Sequence, residues 1–121
     1  MPAYADRVLE ITTTAPGTGP ITLDGGALPG TRTFASAFPN RPVLIGYSVE
    51  DSTGSIWEIG KGTLNSTGTV ITRDIIRSSS SGGAPVVLDA GSVICCTFSA
   101  EQIDNANIGL QVAQFNGLAM P

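Results

Sequence analysis

Apolar and polar residues alternate with a period of two along much of the chain, which is the pattern of half-buried β-strands. The alternation is clearest from residue 43 onward, where four apolar residues share one face: Val43, Ile45, Tyr47 and Val49. Segments rich in Gly, Pro, Ser and Thr interrupt it at intervals of about ten residues, as in sandwiches and barrels. We therefore predict an all-β protein, an antiparallel β-sandwich or flattened barrel of about seven or eight strands.

The predicted strands follow from these runs and interruptions. In the first, Leu9 and Ile11 lie on the face opposite to Glu10 and Thr12. The complete set of predicted strands is 7–14, 21–23, 31–38, 43–50, 56–64, 69–77, 86–88 and 93–98. The last two are predicted to form a hairpin, and the central strands an antiparallel meander.

Two similar tetrads separate the central strands, DSTG at 51–54 and NSTG at 65–68. Each has Asp or Asn in the first position and Gly in the fourth, which is the preference of a type I turn. The Asx side chain at the first position can also accept a hydrogen bond from the backbone two residues on. Both tetrads therefore predict a hairpin turn.

The character of the sequence changes after residue 98, so we predict a β-domain over 1–98 and a C-terminal arm over 99–121. Ser99 and Gln102 form a weak helix-capping pattern, and no charged residue follows Asp104. The arm nevertheless carries six large apolar side chains: Ile108, Leu110, Val112, Phe115, Leu118 and Met120.

The apolar side chains of this arm need a surface to cover them. Burying each contributes about 1.5 to 3 kcal/mol, whereas ordering an extended segment costs about 1 to 2 kcal/mol per residue. These contributions nearly cancel, so the arm either packs on its own domain or docks on another subunit. Docking on a partner is favoured, because many copies acting together make a modest affinity per copy sufficient.

Composition and charge exclude several classes of protein. The chain has 121 residues, of which 41% are hydrophobic and 13% charged, so it is expected to fold as one compact β-domain. The net charge is −4, and the basic residues are scattered. We therefore expect no binding to nucleic acid or to an anionic membrane. The N-terminus lacks the pattern of a secretion signal, and no long apolar run predicts a membrane span.

The residues suited to chemistry are few. The sequence has no histidine, so histidine-based catalytic triads and zinc sites are excluded. Cys95 and Cys96 are adjacent and point to opposite faces of a strand, which favours packing in the core over a shared ligand. Glu50, Asp51 and Asp74 lack the spacing of a calcium loop and are expected to face solvent. We predict no catalytic residues, no metal site and no cofactor.

Two aromatic residues suggest an alternative. Trp57 and Tyr47 could form a stacking platform for a glycan, as in carbohydrate-binding modules. A lone Trp in an apolar strand is more often part of the core, and we favour that interpretation.

Five segments, in their order along the chain, resemble small structural modules of tailed bacteriophages: ADRVLEITTTAPGTGPITLDG at 5–25, TFASAF at 33–38, DSTGSIWEIGKGTL at 51–64, VITRDIIRSSSSGGAPVVLDAG at 70–91 and CTFSAEQ at 96–102. The resemblance covers roughly Ala5 to Gln102. It implies a β-rich, non-enzymatic component of the virion, found at the start of a tail fibre or as a free-standing fibre or decoration protein.

From this resemblance we expect a structural protein of the virion, made in the cytoplasm of the bacterial host. The short arm favours an adaptor or fibre-like component of the tail or neck over a whole receptor-binding fibre. The expected partners are other virion proteins of the tail, neck or capsid and further copies of the chain, with a trimer suggested by the symmetry of phage fibres. A capsid decoration or head-fibre protein is the first alternative, and a glycan-binding module on the virion is the second.

Overall fold

Seven β-strands form a single antiparallel sheet that curls into a half-barrel. The computed structural model describes residues 3–23, 25 and 29–97. Along the chain, the elements are β1 (Leu9–Ile11), β2 (Ile21–Thr22), α1 (Phe34–Ala37), β3 (Val43–Glu50), β4 (Trp57–Leu64), β5 (Val70–Ile71), β6 (Ile75–Ser79) and β7 (Val93–Cys96). Their order in the sheet is β1-β7-β3-β4-β5-β2, and β6 pairs with β4. The predicted all-β class is confirmed.

Both predicted hairpin turns are present. At the first, the backbone N–H of Gly54 donates to the carbonyl of Asp51 at 3.0 Å, and the Asp51 carboxylate accepts from the N–H of Ile56 at 3.3 Å. At the second, the N–H of Gly68 donates to the carbonyl of Asn65 at 3.0 Å. These turns set the register of β3 on β4 over their whole length and bring β5 alongside the end of β4.

The buried core lies on the concave face of the sheet. Ile45, Tyr47 and Val49 of β3 are fully buried there, on the one face that their alternation predicted. The remaining core side chains are contributed by the other strands, by α1 and by the loops: Val8, Ile21, Leu23, Phe34, Phe38, Leu64, Ile71, Val86, Leu88 and Ile94. The predicted arm, 99–121, with its six apolar side chains, lies outside the described residues.

The predicted strand over 31–38 is wrong, because its centre is the helix α1. The side chain of Thr33 caps this helix by accepting a hydrogen bond from the N–H of Ser36 at 3.2 Å. The N–H of Phe38 then donates to the carbonyl of Phe34, which closes a single turn. Phe34 and Phe38 thus lie four residues apart on one face of the turn, with their rings stacked at 6.3 Å between centroids.

Two further predictions about strands need correction. The predicted strand 69–77 is two strands, β5 and β6, which are separated at 72–74. The predicted hairpin of 86–88 with 93–98 does not form, because β7 pairs with β1 and β3 while Leu88 bridges to Gly17. β7 therefore pairs with strands that are distant from it in the sequence, and short-range patterns do not encode those pairings.

Candidate functional site

Three polar side chains meet inside the half-barrel: Tyr47 of β3, Glu58 of β4 and Arg73 from the loop between β5 and β6. The guanidinium of Arg73 contacts both carboxylate oxygens of Glu58, with Nη2 to Oε1 at 2.6 Å and Nε to Oε2 at 2.9 Å. The hydroxyl of Tyr47 donates to Oε2 at 2.6 Å. The ion pair is sealed from solvent, since the Arg73 side chain is 3% exposed and that of Glu58 is 0% exposed. We call these three residues the interior ionic cluster.

The interior ionic cluster also ties two loops to the sheet. Nη1 of Arg73 donates to the carbonyls of Gly17 and Gly19, at 2.8 and 3.2 Å, and Nη2 donates to the carbonyl of Val86 at 2.6 Å. The N–H of Val86 in turn donates to Oε1 of Glu58 at 3.1 Å. Each carboxylate oxygen of Glu58 therefore accepts two hydrogen bonds, which fills its acceptor capacity. The cluster holds the fold together and leaves Glu58 no free position for a ligand.

These contacts change the acid–base behaviour of two groups. Burial by itself would raise the pKa of Glu58, but hydrogen bonds from Arg73, from the Tyr47 hydroxyl and from the Val86 N–H outweigh it and hold the pKa below its ordinary value. Burial, together with the hydrogen bond to Glu58 and its negative charge, raises the pKa of Tyr47. The cluster is thus a carboxylate, a guanidinium and a neutral phenol.

The lowered pKa of Glu58 makes the stability of the fold depend on pH. Between the folded-state pKa and the ordinary value of 4.5, the unfolded chain binds a proton that the folded chain does not. This contribution is therefore complete above pH 4.5 and is lost as the pH falls through the folded-state pKa. Urea unfolding at neutral pH and at a series of acidic pH values should show a steeper loss of stability for the native protein than for Glu58→Gln. Glu50→Gln, at an exposed glutamate, is the matched control, and equal slopes for all three proteins would contradict the assignment.

A second buried carboxylate, Glu10 of β1, connects three segments. Its Oε2 accepts from the N–H of Phe34 at 2.7 Å, and its Oε1 accepts from the N–H of Gly25 at 3.1 Å. Glu10 and Thr12 are buried, whereas Leu9 and Ile11 are half-buried, so the polar face of β1 points into the domain. This carboxylate anchors the start of α1 to the sheet.

The apolar side chains on the opposite, outer face of the sheet lie on β1, β7 and β4, with the polar residues Ser48 and Glu50 of β3 between them. The strand registers place them in two neighbouring rows, Leu9–Cys95–Ser48–Ile59 and Ile11–Val93–Glu50–Trp57. The six apolar members are half-buried, and none of them belongs to the core of the described residues or is packed against it. We call these six residues the outer apolar band: Leu9, Ile11, Trp57, Ile59, Val93 and Cys95. Four strands at about 4.8 Å spacing make it roughly 15 Å wide.

The two residues proposed as a glycan platform do not lie together. Tyr47 is fully buried on the concave face, so its ring is not available for stacking, and the alternative of a glycan platform is wrong at this residue. Trp57 is half-buried in the outer apolar band, so its predicted place in the core is also wrong. Since the two residues lie on opposite faces of the sheet, they cannot contact the same sugar.

The two cysteines are free and half-buried, and they lie on opposite faces, as predicted. Cys96 packs against the core, as predicted. Cys95 lies in the outer apolar band, so the prediction that it packs in the core is wrong. Burial raises the pKa of both thiols. The neighbouring Cys96 raises the pKa of Cys95 further, and Asp6 raises that of Cys96. Neither cysteine therefore has the lowered pKa of a reactive thiolate.

The remaining carboxylates serve turns and loops. Glu50 and Asp74 are exposed, as predicted, and Asp74 accepts hydrogen bonds from the hydroxyls of Thr63 and Thr72, both at 2.6 Å. Asp51 is 8% exposed, because its side chain turns inward to hold the first hairpin turn, so its predicted exposure is wrong. Among the described residues, no group of three or more His, Cys, Asp or Glu is placed to hold a metal ion.

Sequence inspection missed Glu10, Glu58 and Arg73, although a signal was present. Glu58 falls in phase with Leu64, a core residue of the same strand, and it pairs with the buried Val49 across the sheet. A carboxylate in the buried phase of a strand needs a cation or backbone donors.

Within the described part of the chain, the one helix is far too short to cross a membrane. Comparisons of the chain with protein-family models, with curated proteins and with solved structures find no match.

Proposed function

We propose that the protein is a non-enzymatic structural component of a tailed-phage virion, an adaptor or fibre-like piece of the tail or neck that assembles through its β-domain and its C-terminal arm. The observation that carries the proposal is the outer apolar band. It presents six half-buried apolar side chains across four strands of the sheet, on the face away from the core. A cluster of partly exposed apolar side chains on the outer face of a sheet is typical of a site of protein association.

The interior ionic cluster supports the same proposal. The segments that resemble phage modules contribute two of its three members, Glu58 within 51–64 and Arg73 within 70–91. Both residues satisfy each other and the backbone of neighbouring loops. The polar residues of these segments therefore maintain a rigid body, which is what an assembly component requires.

Truncation after Gln102 tests the proposal, because it removes all six apolar side chains of the arm and leaves every described core residue in place. We expect the truncated chain to remain folded by circular dichroism and to fail to join phage particles assembled without the protein. Gold-labelled antibody on complete virions then locates the full chain, which distinguishes the tail or neck from the capsid. A full-length chain absent from purified virions would overturn the proposal.

A further inference from the structure

The outer apolar band offers a surface for a partner, and the chain itself carries a segment that matches it. Residues 105–121 have no charged side chain, and Ile108, Leu110 and Val112 follow one another with a period of two. In an extended conformation these three side chains share one face, over about 13 Å. That length matches the width of roughly 15 Å of the band across four strands.

Charge is compatible with this pairing. Glu50 is the one charged residue in the two rows of the band, and it is exposed. An acidic partner segment would be repelled by it, whereas an uncharged segment can cover the apolar side chains around it without burying a second charge.

The direction of the chain favours the band of another copy. β7 lies between β1 and β3, so no open edge of the sheet is available beside it. The chain runs along β7 from Val93 through Cys95, both in the band, and leaves its rows at Thr97, whose N–H donates to the carbonyl of Gly46 at 3.1 Å. At Thr97, the last described residue, the chain is therefore directed away from its own band, so the arm would have to reverse direction to cover it.

We propose that residues 105–121 of one copy dock on the outer apolar band of the next copy. This inference rests on the proposed function, since it specifies one partner of the β-domain and of the arm. Each copy has one arm and one band, so the contact is head-to-tail and closes into a cyclic oligomer when the rotation between copies permits it.

Cys95 gives a direct measure of whether the band is covered. In a full-length Cys96→Ser protein it is the single thiol, and its rate of alkylation by N-ethylmaleimide reports access to the band. We expect alkylation to slow as protein concentration rises, by about fourfold at a total protein concentration of ten times the dissociation constant of the contact, where about a quarter of the bands remain free. Light scattering on the same samples should show the oligomer forming over the same range.

Two matched pairs of full-length variants localise the contact. Leu110→Asn should abolish both the protection and the oligomer, whereas Gln111→Asn, which places the same uncharged polar side chain one position along, should retain both. On the band, Ile59→Lys should abolish them, and Thr63→Lys, on the same face of β4 outside the two rows, should not. Thermal unfolding of each variant verifies that the fold is retained.

Two outcomes would overturn the inference. Protection that does not depend on concentration would mean that the arm covers the band of its own subunit, and no protection at all would mean that the arm does not cover it. The proposed function fails separately: if the ring forms but the chain does not enter virions, the inference stands and the function falls. If arm variants abolish incorporation without changing the alkylation of Cys95, the arm docks on another virion protein.

Discussion

Replacing Arg73 by Met is expected to lower the free energy of unfolding by about 3 to 5 kcal/mol, the usual cost of removing one partner from a buried ion pair. Glu58 would remain fully buried with no cation beside it. The carbonyls of Gly19 and Val86 would each lose a donor as well, and the carbonyl of Gly17 would keep the N–H of Leu88. Urea unfolding followed by the fluorescence of Trp57, the single tryptophan, measures the effect.

A double variant separates the effect of losing the ion pair from the effect of losing side-chain packing. The double variant Glu58→Leu/Arg73→Met leaves no buried charge, so it should be less destabilised than the sum of the two single variants, by a coupling of about 1 to 3 kcal/mol. Arg77→Met, at an exposed arginine of β6, should stay within about 0.5 kcal/mol of the native protein. Additive effects of the two single changes would show that Glu58 and Arg73 do not act as a pair.

The ion pair matters for the fold because of what it joins. Arg73 fastens the loops that carry Gly17 and Val86 against the sheet. With these loops released, we expect the half-barrel to lose stability as a whole, since the cluster lies at its centre.

Local patterns predicted the parts of the fold that depend on neighbours in the sequence. The alternation in 43–50 and the two tetrads determine the β3–β4 hairpin, because turn chemistry and a period of two act over a few residues. The pairing of β7 with β1 and β3 joins residues about 45 to 85 positions apart in the chain, and no short motif encodes it.

The candidate site is harder to predict, because a polar residue in a strand usually indicates an exposed position. Glu10 and Glu58 are charged and yet face inward, so the apolar residues beside them, Ile11 and Trp57, face outward. Because the two carboxylates lie on the buried face of β1 and β4, the apolar residues that alternate with them lie on the outer face, in the outer apolar band. A single buried charge thus reverses the assignment of a whole strand face.

Replacing Phe34 by Ala is expected to lower the free energy of unfolding by about 3 to 5 kcal/mol, the range for removal of a buried aromatic side chain. The ring is fully buried and stacks on Phe38 at 6.3 Å between centroids. Val87→Ala is the matched control, since this side chain is 66% exposed and its loss should change stability by no more than about 0.5 kcal/mol. Urea unfolding measures both.

Phe34→Ala has a large expected effect on stability because α1 is not stable without contacts from the rest of the domain. Four residues are too few for an isolated helix, so packing of the Phe34 ring and the hydrogen bond from its N–H to Glu10 must hold the turn in place. Phe34→Ala removes the packing and leaves the hydrogen bond, whereas Glu10→Gln removes the charge and leaves the packing. Since both act on the same turn, their effects should not add, and a double variant measures the coupling. Strictly additive effects would show that the Phe34 ring and the Glu10 carboxylate stabilise α1 independently.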